Sequence, residues 1–362
     1  MSTLTFSNQK NLFFRALKEK VDNYFINNNI SRSGDRKLFI KGALQIASAA
    51  ILYVVLVFFT PILPVSIVLC ALLGFNLAVI GFNVMHEGGH ASFSKYKWLN
   101  KASAYFLNVM GGNTYYWKIK HNLAHHTFTN MEGLDSDINI EPFMRIHPEQ
   151  PKRWIHRFQH IYFFIFYSLS YFSWIFLDDF VKYFSGRISE GYINQKLSFK
   201  EHFIFWITKA FYVMIYVILP ILMVGFLKAV VGYLILGIVC GLAIAIVFQL
   251  AHVVNETEFP LTPAEGATKI EQQWAIHQVN TTSNFATKSK WLSWLLGGLN
   301  FQVEHHLFPK ISHIHYAKIN QFVKETCIEY NINYHEHKTM LKAVYSHIKY
   351  IRKMGRPNLK AI

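Results

Sequence analysis

Two long stretches of the sequence are almost free of charged side chains, and they decide what this chain can fold into. No Asp, Glu, Lys or Arg occurs between Gly42 and Met85, and Lys228 is the only such residue between Ala210 and Asn255. Each stretch is roughly twice the ~20 residues that one membrane-spanning helix requires. Because a spanning segment must satisfy its own backbone hydrogen bonds, each stretch predicts a hairpin of two helices.

Prolines and a glycine near the middle of the stretches predict where the hairpins turn. Pro61 and Pro64 divide the first stretch, and Pro220 and Gly225 mark the turn of the second. The predicted spanning helices are about Leu38–Phe59, Ile62–Val84, His202–Val224 and Val230–Leu250. The predicted fold class is therefore an all-α integral membrane protein with four transmembrane helices in two hairpins.

A third apolar segment, Ile161–Leu177, is uncharged but short, and ten of the positions 161–180 are aromatic. Aromatic side chains concentrate at the membrane–water boundary, so we predict that this segment forms an interfacial helix and does not span the membrane.

Basic residues exceed acidic ones by 15, and they surround the uncharged stretches. This pattern favours a positive-inside membrane protein over a nucleic-acid-binding protein. It predicts that both termini and the segments rich in histidine face the cytoplasm. The predicted organisation is a cytoplasmic N-terminal segment (residues 1–37), a membrane domain (38–309) and a basic cytoplasmic helical cap (310–362).

The 18 histidines include three clusters and one further candidate at the end of the last predicted span. The candidate metal ligands are His86, His90, His121, His125, His126, His252, His305 and His306. His86 and His90 are four residues apart, as are His121 and His125, so a helix would present each pair on one face. Eight histidines at one depth exceed what a single tetrahedral zinc requires and suit two iron ions with open positions for dioxygen. Solitary histidines, including His147, His156 and His347, are predicted to be interfacial polar groups.

The first cluster also matches H-E-x-x-H, the zinc-protease pattern in which Glu87 would be the general base. An intramembrane zinc protease is therefore an alternative, although its mechanism needs one further ligand and gives the later histidine pairs no role. A metal transporter is another alternative, but transporters place their ligands near mid-membrane.

The three clusters resemble the histidine boxes of the integral-membrane fatty-acyl desaturases, and more narrowly those of the front-end group. The matching motifs are H-x₃-H at His86, H-x₃-H-H at His121, and Q-x-x-H-H at Gln302, which continues as Leu-Phe-Pro. The resemblance covers roughly residues 40–320. It implies a di-iron enzyme that inserts a double bond into an acyl-lipid or acyl-CoA, using dioxygen and two electrons. A hydroxylase or carotenoid oxygenase on the same scaffold stays an alternative.

The resemblance also implies roles for single residues. Gln302 stands where other desaturases have the first histidine of the third box, and His252 matches a ligand position after the last span. His277 is a weaker candidate ligand. We assign Gln302, for its place in the third motif, to the catalytic machinery. We also assign Asp137 to it, since metal-bound imidazoles need carboxylates that fix their tautomer. The carboxylates considered for that task are Asp135, Asp137, Glu87 and Glu304, for which solvated loop acids or helix caps are an equal alternative.

The source of electrons is predicted to be a separate protein. The sequence contains no His-Pro-Gly-Gly haem-domain motif, no glycine-rich dinucleotide motif and no clustered cysteines. We expect a carrier such as a ferredoxin or a small cytochrome to dock on the basic cytoplasmic face. This face is predicted to include Lys95, Lys97, Lys118, Lys120 and the C-terminal cap.

Overall fold

Helices form most of the regular structure in this computed structural model, which describes residues 4–7, 11–189, 197–264 and 267–356. Up to His252, the helices in chain order are α1 (Leu12–Asn28), α2 (Arg36–Phe59), α3 (Leu63–Gly89), α4 (Lys97–Ala104), α5 (Phe106–Val109), α6 (Thr114–Trp117), the π-helical segment Lys118–His125, α7 (His126–Phe128), α8 (Trp154–Ser185), α9 (Phe199–Val224) and α10 (Phe226–His252). The remaining helices are α11 (Trp274–Thr281), α12 (Lys290–Leu295), α13 (Gln302–Leu307), α14 (Tyr316–Glu329) and α15 (Met340–Gly355).

Five of these helices are long and apolar enough to cross a membrane, namely α2, α3, α8, α9 and α10. The hairpins α2–α3 and α9–α10 lie where the sequence predicts them. Asp35 caps α2 by accepting a hydrogen bond from the backbone N–H of Leu38, and Gly225 makes the second turn with φ +85°. The segment predicted to be interfacial lies inside α8, which has 32 residues.

The contacts of α8 define its course. Near its start, Nε2 of Gln159 donates to the carbonyl of Ile351 in α15 at 2.6 Å. In its middle, Phe172 packs against Gly237 of α10, where an added Cβ would lie 2.2 Å from the phenyl ring. Near its end, the Tyr183 hydroxyl lies 2.9 Å from Nδ1 of His202 in the first turn of α9.

The two hairpins pack together through α3 and α10. A Cβ on Gly74 of α3 would lie 2.2 Å from the carbonyl oxygen of Leu236, so only glycine allows the two backbones to come this close. Large apolar side chains on the outer faces, such as Leu44, Ile51 and Leu222, are exposed, as expected for surfaces that face lipid.

Short parallel strand pairs tie the chain ends to this bundle, a feature that the all-α prediction did not include. β1 (Thr5–Phe6) pairs with β2 (Lys269–Ile270), and β3 (Asn284–Phe285) pairs with β4 (Glu336–His337). The predicted C-terminal cap contains α14 and α15, while its residues 357–362 lie outside the described residues.

Candidate metal centre

The first two histidine clusters meet where the chain leaves α3. The helix continues beyond its apolar part through His86, and His90 follows its last residue. A Cβ on Gly89 would lie 2.1 Å from Cζ3 of Trp117, so glycine at this position lets the second cluster approach the first. The Trp117 ring in turn stacks on His121, with centroids 4.7 Å apart and planes at 22°.

The second cluster lies on a π-helical segment, not on the regular α-helix that its spacing predicts. The wider turn, closed by hydrogen bonds between residues five apart, brings the rings of His121 and His125 into a stack with centroids 5.1 Å apart. His126 begins α7, and its ring makes an angle of 81° with that of His125. Adjacent histidines therefore face different parts of the cluster.

Seven of the eight predicted ligands form two sets of imidazoles. The first set is His86, His90, His121 and His305, and the second set is His125, His252 and His306. Within each set, one ring nitrogen of every member lies within 4.8 Å of the others. Ligands ~2 Å from a shared metal are at most about 4 Å apart, so each set is close to the geometry of one metal site.

His126 lies inside the cluster but belongs to neither set. Its ring stacks on His306 with centroids 4.2 Å apart, and its centroid is 4.7 Å from those of His90 and His305. Both of its ring nitrogens are buried and have no hydrogen-bond partner among the described residues. His126 therefore lies between the two sets, with ring centroids of members of both sets less than 5 Å away.

Many ring nitrogens of the cluster are buried without a partner in the described chain. They are Nε2 of His90, His125, His305 and His306, Nδ1 of His252, and both nitrogens of His126. Buried polar atoms are nearly always hydrogen-bonded, so seven such atoms together mark the place of a missing binding partner. Imidazole nitrogens are good ligands for iron and zinc, and the residues present fit metal ions.

Two aspartates orient imidazoles of the second cluster. Nδ1 of His125 donates to Oδ2 of Asp135 at 2.9 Å, and the backbone N–H groups of Asn130 and Asp137 also donate to Asp135. Nδ1 of His121 lies 3.4 Å from Oδ2 of Asp137, whose other oxygen pairs with Nζ of Lys120 at 2.7 Å. Such outer carboxylates fix the tautomer and direction of metal-binding histidines.

Amide and phenol groups orient imidazoles of the remaining clusters. Nε2 of the Gln302 amide lies 2.8 Å from Nε2 of His252. Nδ1 of His305 lies 3.1 Å from the Tyr316 hydroxyl, and Nδ1 of His306 lies 2.7 Å from Oε1 of Gln278. Sequence reasoning missed Tyr316 and Gln278. Gln278 directly follows His277, which was considered, whereas Tyr316 carries no local signal because α14 must first fold back onto α13.

The electrostatic environment favours the neutral form of most imidazoles in the cluster, and His125 is the exception. Burial and repulsion by neighbouring imidazoles hold the pKa of His126, His305 and His306 well below the usual range. Burial also lowers the pKa of His125, but the Asp135 carboxylate outweighs it and the net pKa is raised. Although burial raises the pKa of Asp137, Lys120 and the imidazoles hold it well below its usual range. Neutral imidazoles beside an ionised carboxylate are the forms that metal binding requires.

The other two predicted carboxylates contact no ligand imidazole. Oε1 of Glu87 accepts hydrogen bonds from the backbone N–H of His313 at 2.9 Å and from its Nδ1 at 2.8 Å. The Glu304 carboxylate accepts hydrogen bonds from the amides of Asn284 at 2.6 Å and Asn320 at 3.0 Å. Burial raises the pKa of Glu304 to about 7, although the two amides lower it.

The weaker candidate His277 lies outside both sets. It is fully buried, its ring centroid is 5.0 Å from that of Phe6 in β1, and both of its ring nitrogens have no partner in the described chain. Burial lowers the pKa of His277 to about 4, so its ring is neutral.

Three solitary histidines are buried, which corrects their prediction as interfacial polar groups. His147 lies 3.1 Å from the carbonyl oxygen of Pro260, His156 lies 3.0 Å from that of Pro142, and His347 lies 2.6 Å from that of Val253. Folding of the loops around them leaves buried carbonyl groups that need donors, and the ring N–H groups supply these.

Comparison with known proteins shows the family to which the chain belongs. The sequence model described as fatty acid desaturase matches residues 59–338, a range that contains every histidine of the two sets. The chain belongs to the fatty acid desaturase family. This desaturase is an oxidoreductase of lipid metabolism, and its apolar helices make it an integral membrane protein.

Similar proteins from cyanobacteria and a moss support this assignment. An sn-1 linoleoyl-lipid 6-desaturase from Arthrospira platensis is 35% identical over 97% of this chain and 95% of its own length. A protein of the same name from Synechocystis sp. is 32% identical, with 96% of this chain and 97% of that protein covered. An acyl-lipid (8-3)-desaturase from Physcomitrium patens is 32% identical over 98% of this chain and 74% of its own length.

Proposed function

We propose that this desaturase inserts a double bond into the acyl chain of a membrane lipid and uses two non-haem iron ions. The observation that carries the proposal is the pair of histidine sets with seven buried ring nitrogens that have no partner in the described chain. The acyl-lipid substrate is supported by the names of the relatives, which act on linoleoyl-lipids and acyl-lipids. Acyl-CoA is the alternative substrate class.

The first set would hold one iron and the second set the other, with His126 completing the ligand shell. When bound, the irons together with dioxygen supply an oxidant that can remove hydrogens from two adjacent unactivated methylenes, which an acid–base pair cannot do. The task of the chain is to hold the ligands neutral and correctly directed. Asp137 and Gln302 serve that task as positioning residues, through His121 and His252 respectively.

The front-end type of desaturation is supported by Gln302. The residue stands where other desaturases have a histidine, and its amide lies against His252 without joining either ligand set. The relatives named 6-desaturase and (8-3)-desaturase agree with this type.

Four spans, with α8 not crossing the membrane, are supported by the direction of the helices. α3 and α10 both end at the metal centre, at His90 and His252, so they run in the same direction across the membrane. The chain between them must therefore make an odd number of crossings. α9 makes one crossing, since the turn at Gly225 joins it to α10. The contacts of α8 with α15 at one end and with the start of α9 at the other agree with a helix that does not cross.

The metal centre is proposed to face the cytoplasm, where an external carrier delivers electrons. Lys95 and Lys97 directly follow the first histidine cluster and are exposed, as are Arg352 and Lys353 at the end of α15. Lys95 and Lys97 belong to the proposed docking surface for an acidic carrier. Lys120 is not part of that surface, because it is paired with Asp137.

The alternatives fit the site less well. A zinc protease would need Glu87 beside its metal, but Oε1 of Glu87 accepts two hydrogen bonds from His313 and the residue belongs to neither ligand set. A transporter would hold its ligands at mid-membrane, whereas these lie at the ends of α3 and α10. A hydroxylase or carotenoid oxygenase would use the same centre, and only the product distinguishes it.

The proposal is tested by expressing the protein in a host with simple lipids and analysing the fatty acids by mass spectrometry. We expect a new double bond in lipid-bound chains, and no new product from a His306→Ala variant. His160→Ala, outside the centre, is the matched control and should retain the product. Two irons per purified chain are expected, whereas one zinc, or a hydroxylated product, would refute the proposal.

A further inference from the structure

Glu304 precedes the two histidines of the third cluster, yet it belongs to a separate network of buried polar groups. Its Oε2 accepts a hydrogen bond from Nδ2 of Asn284 at 2.6 Å, and its Oε1 accepts one from Nδ2 of Asn320 at 3.0 Å. Each amide donates its second N–H to the Tyr334 hydroxyl, at 2.6 Å in both cases. We call these four residues the Glu304 clamp.

The clamp ties the short helix α13 to two distant parts of the chain. Asn284 is in β3, and its Oδ1 accepts the backbone N–H of Val303 at 2.9 Å, so it holds α13 at two points. Asn320 is in α14, the helix that also places the Tyr316 hydroxyl 3.1 Å from Nδ1 of His305. A helix of six residues has little stability of its own, so its direction depends on such contacts.

We propose that the Glu304 clamp positions the third histidine cluster, so that His305 reaches the first ligand set and His306 the second. The inference rests on the proposed two-metal function. Both histidines follow Glu304 directly on one rigid turn, and a small rotation of α13 would withdraw them from both sets together. Outer groups that direct metal-bound histidines typically contribute about 10- to 100-fold in metal affinity.

The donors and acceptors of the clamp allow a swap experiment. In Asn284→Asp, two carboxyl groups would face each other inside the protein, and the N–H groups that residue 284 donates to Glu304 and to Tyr334 would be lost. In the double variant N284D/E304Q, the new amide of residue 304 can donate to the new carboxylate of residue 284. The remaining oxygen of residue 304 still accepts from Asn320, and Asp at position 284 still accepts from Val303.

A matched control is available in Gln159, which is also fully buried. It makes three hydrogen bonds, to the backbone N–H and carbonyl of Arg145 and to the carbonyl of Ile351. Gln159→Ala should therefore destabilise the fold without changing the geometry of the metal centre. It shows what loss of stability alone does to metal binding.

The experiment measures the affinity of each purified, full-length variant for ferrous iron under anaerobic conditions by chelator competition, together with its melting temperature. We expect N284D and E304A to bind iron about 10- to 100-fold more weakly than wild type. The swap variant N284D/E304Q should bind iron with an affinity within about threefold of wild type. Q159A should bind iron as tightly as wild type, even if its melting temperature is as low as that of N284D.

Three results would overturn the inference. They are wild-type affinity in N284D, an equal loss of affinity in Q159A, or a swap variant that regains its melting temperature but not its iron affinity. If E304A does not fold, the iron affinities of N284D and of the swap variant test the inference without it. Failure of the proposed function would be seen separately, as a wild-type protein that lacks two irons or does not desaturate lipids.

Discussion

Oδ2 of Asp135 accepts the Nδ1–H of His125 at 2.9 Å, and both side chains are completely buried. Because this bond places the ring proton on Nδ1, it leaves Nε2 of His125 free for the second ligand set. The same carboxylate accepts two backbone N–H groups, so its own position is rigid.

Replacing this carboxylate should weaken the metal centre. In Asp135→Asn, an amide N–H can face Nδ1 and favour the opposite tautomer of His125, which blocks the ligating nitrogen. We expect ferrous iron to bind about 10- to 100-fold more weakly, as measured by chelator competition. Glu141→Gln, at an exposed acid, is the control. Unchanged iron binding in Asp135→Asn would show that His125 does not depend on this partner.

Gln302 should support the second ligand set through His252. Nε2 of Gln302 faces Nε2 of His252 at 2.8 Å. When Nδ1 of His252 binds the metal, Nε2 carries the ring proton, and a half-turn of the Gln302 amide then brings Oε1 to that proton. Gln302→Leu leaves a buried donor without a partner, at a cost of about 1–3 kcal/mol, whereas Gln302→Glu keeps an acceptor. We expect iron content and turnover to fall in the leucine variant and to be better retained in the glutamate variant.

The control for this comparison is Gln321→Leu, at an exposed glutamine of α14. Equal iron content in Gln302→Leu and wild type would argue that His252 is held by its surroundings alone.

His277 should be dispensable for metal binding. Its imidazole is buried without a hydrogen-bond partner in the described chain and lies outside both sets. His277→Phe removes that buried polar group and keeps an aromatic ring beside Phe6, so we expect normal iron content and an equal or higher melting temperature. His306→Ala, measured in parallel, should lose iron. Loss of iron in His277→Phe would make His277 a ligand after all.

His347 should make the stability of the fold depend on pH. Burial lowers the pKa of His347 from 6.5 to about 4. Between these two pH values, His347 is therefore neutral in the folded protein and protonated in the unfolded chain. The stabilisation is therefore complete above pH 6.5 and is lost as the pH falls towards 4, by about 2 kcal/mol at pH 5 and ~3 kcal/mol at pH 4.

Melting temperatures of wild type and His347→Gln between pH 7.5 and pH 5 test whether His347 makes the fold less stable as the pH falls. The variant should be less stable at pH 7.5, since it loses the ring contacts to Val253 and Tyr167, but it should depend less on pH. If the melting temperatures of the two proteins changed with pH in parallel, His347 would not be the source of the pH dependence.

Electron delivery should depend on salt and on the basic residues beside the first cluster. Attraction between a basic surface and an acidic carrier falls steeply with ionic strength, so turnover limited by ferredoxin should slow as salt is added. Charge reversal at Lys95 and Lys97 should raise the apparent KM for the carrier and reduce the salt effect. Lys228→Glu, in the exposed first turn of α10 at the end of that helix opposite the metal centre, is the control and should leave the KM unchanged. An apparent KM that is unchanged by charge reversal at Lys95 and Lys97 would exclude this docking surface.

The sequence by itself determined the membrane helices and the histidine clusters, because both depend on local patterns. Uncharged stretches predict the two hairpins to within a few residues, since a bilayer excludes charge along a length that the chain must match. The pairs His86/His90 and His121/His125 are visible because ligand spacing repeats along one short segment, and the family resemblance rests on these motifs.

Only the tertiary structure decided how the histidines divide into two sets and what holds them. His305 joins His86, whereas its neighbour His306 joins His125, and this division depends on the packing of α13 against helices that are distant in sequence. Of the four candidate carboxylates, Asp135 and Asp137 contact imidazoles of the two sets. Glu87 contacts His313, and Glu304 contacts Asn284 and Asn320. No periodicity encodes such partners, since a side-chain hydrogen bond depends on position and direction in space, and these arise only when separate segments pack together.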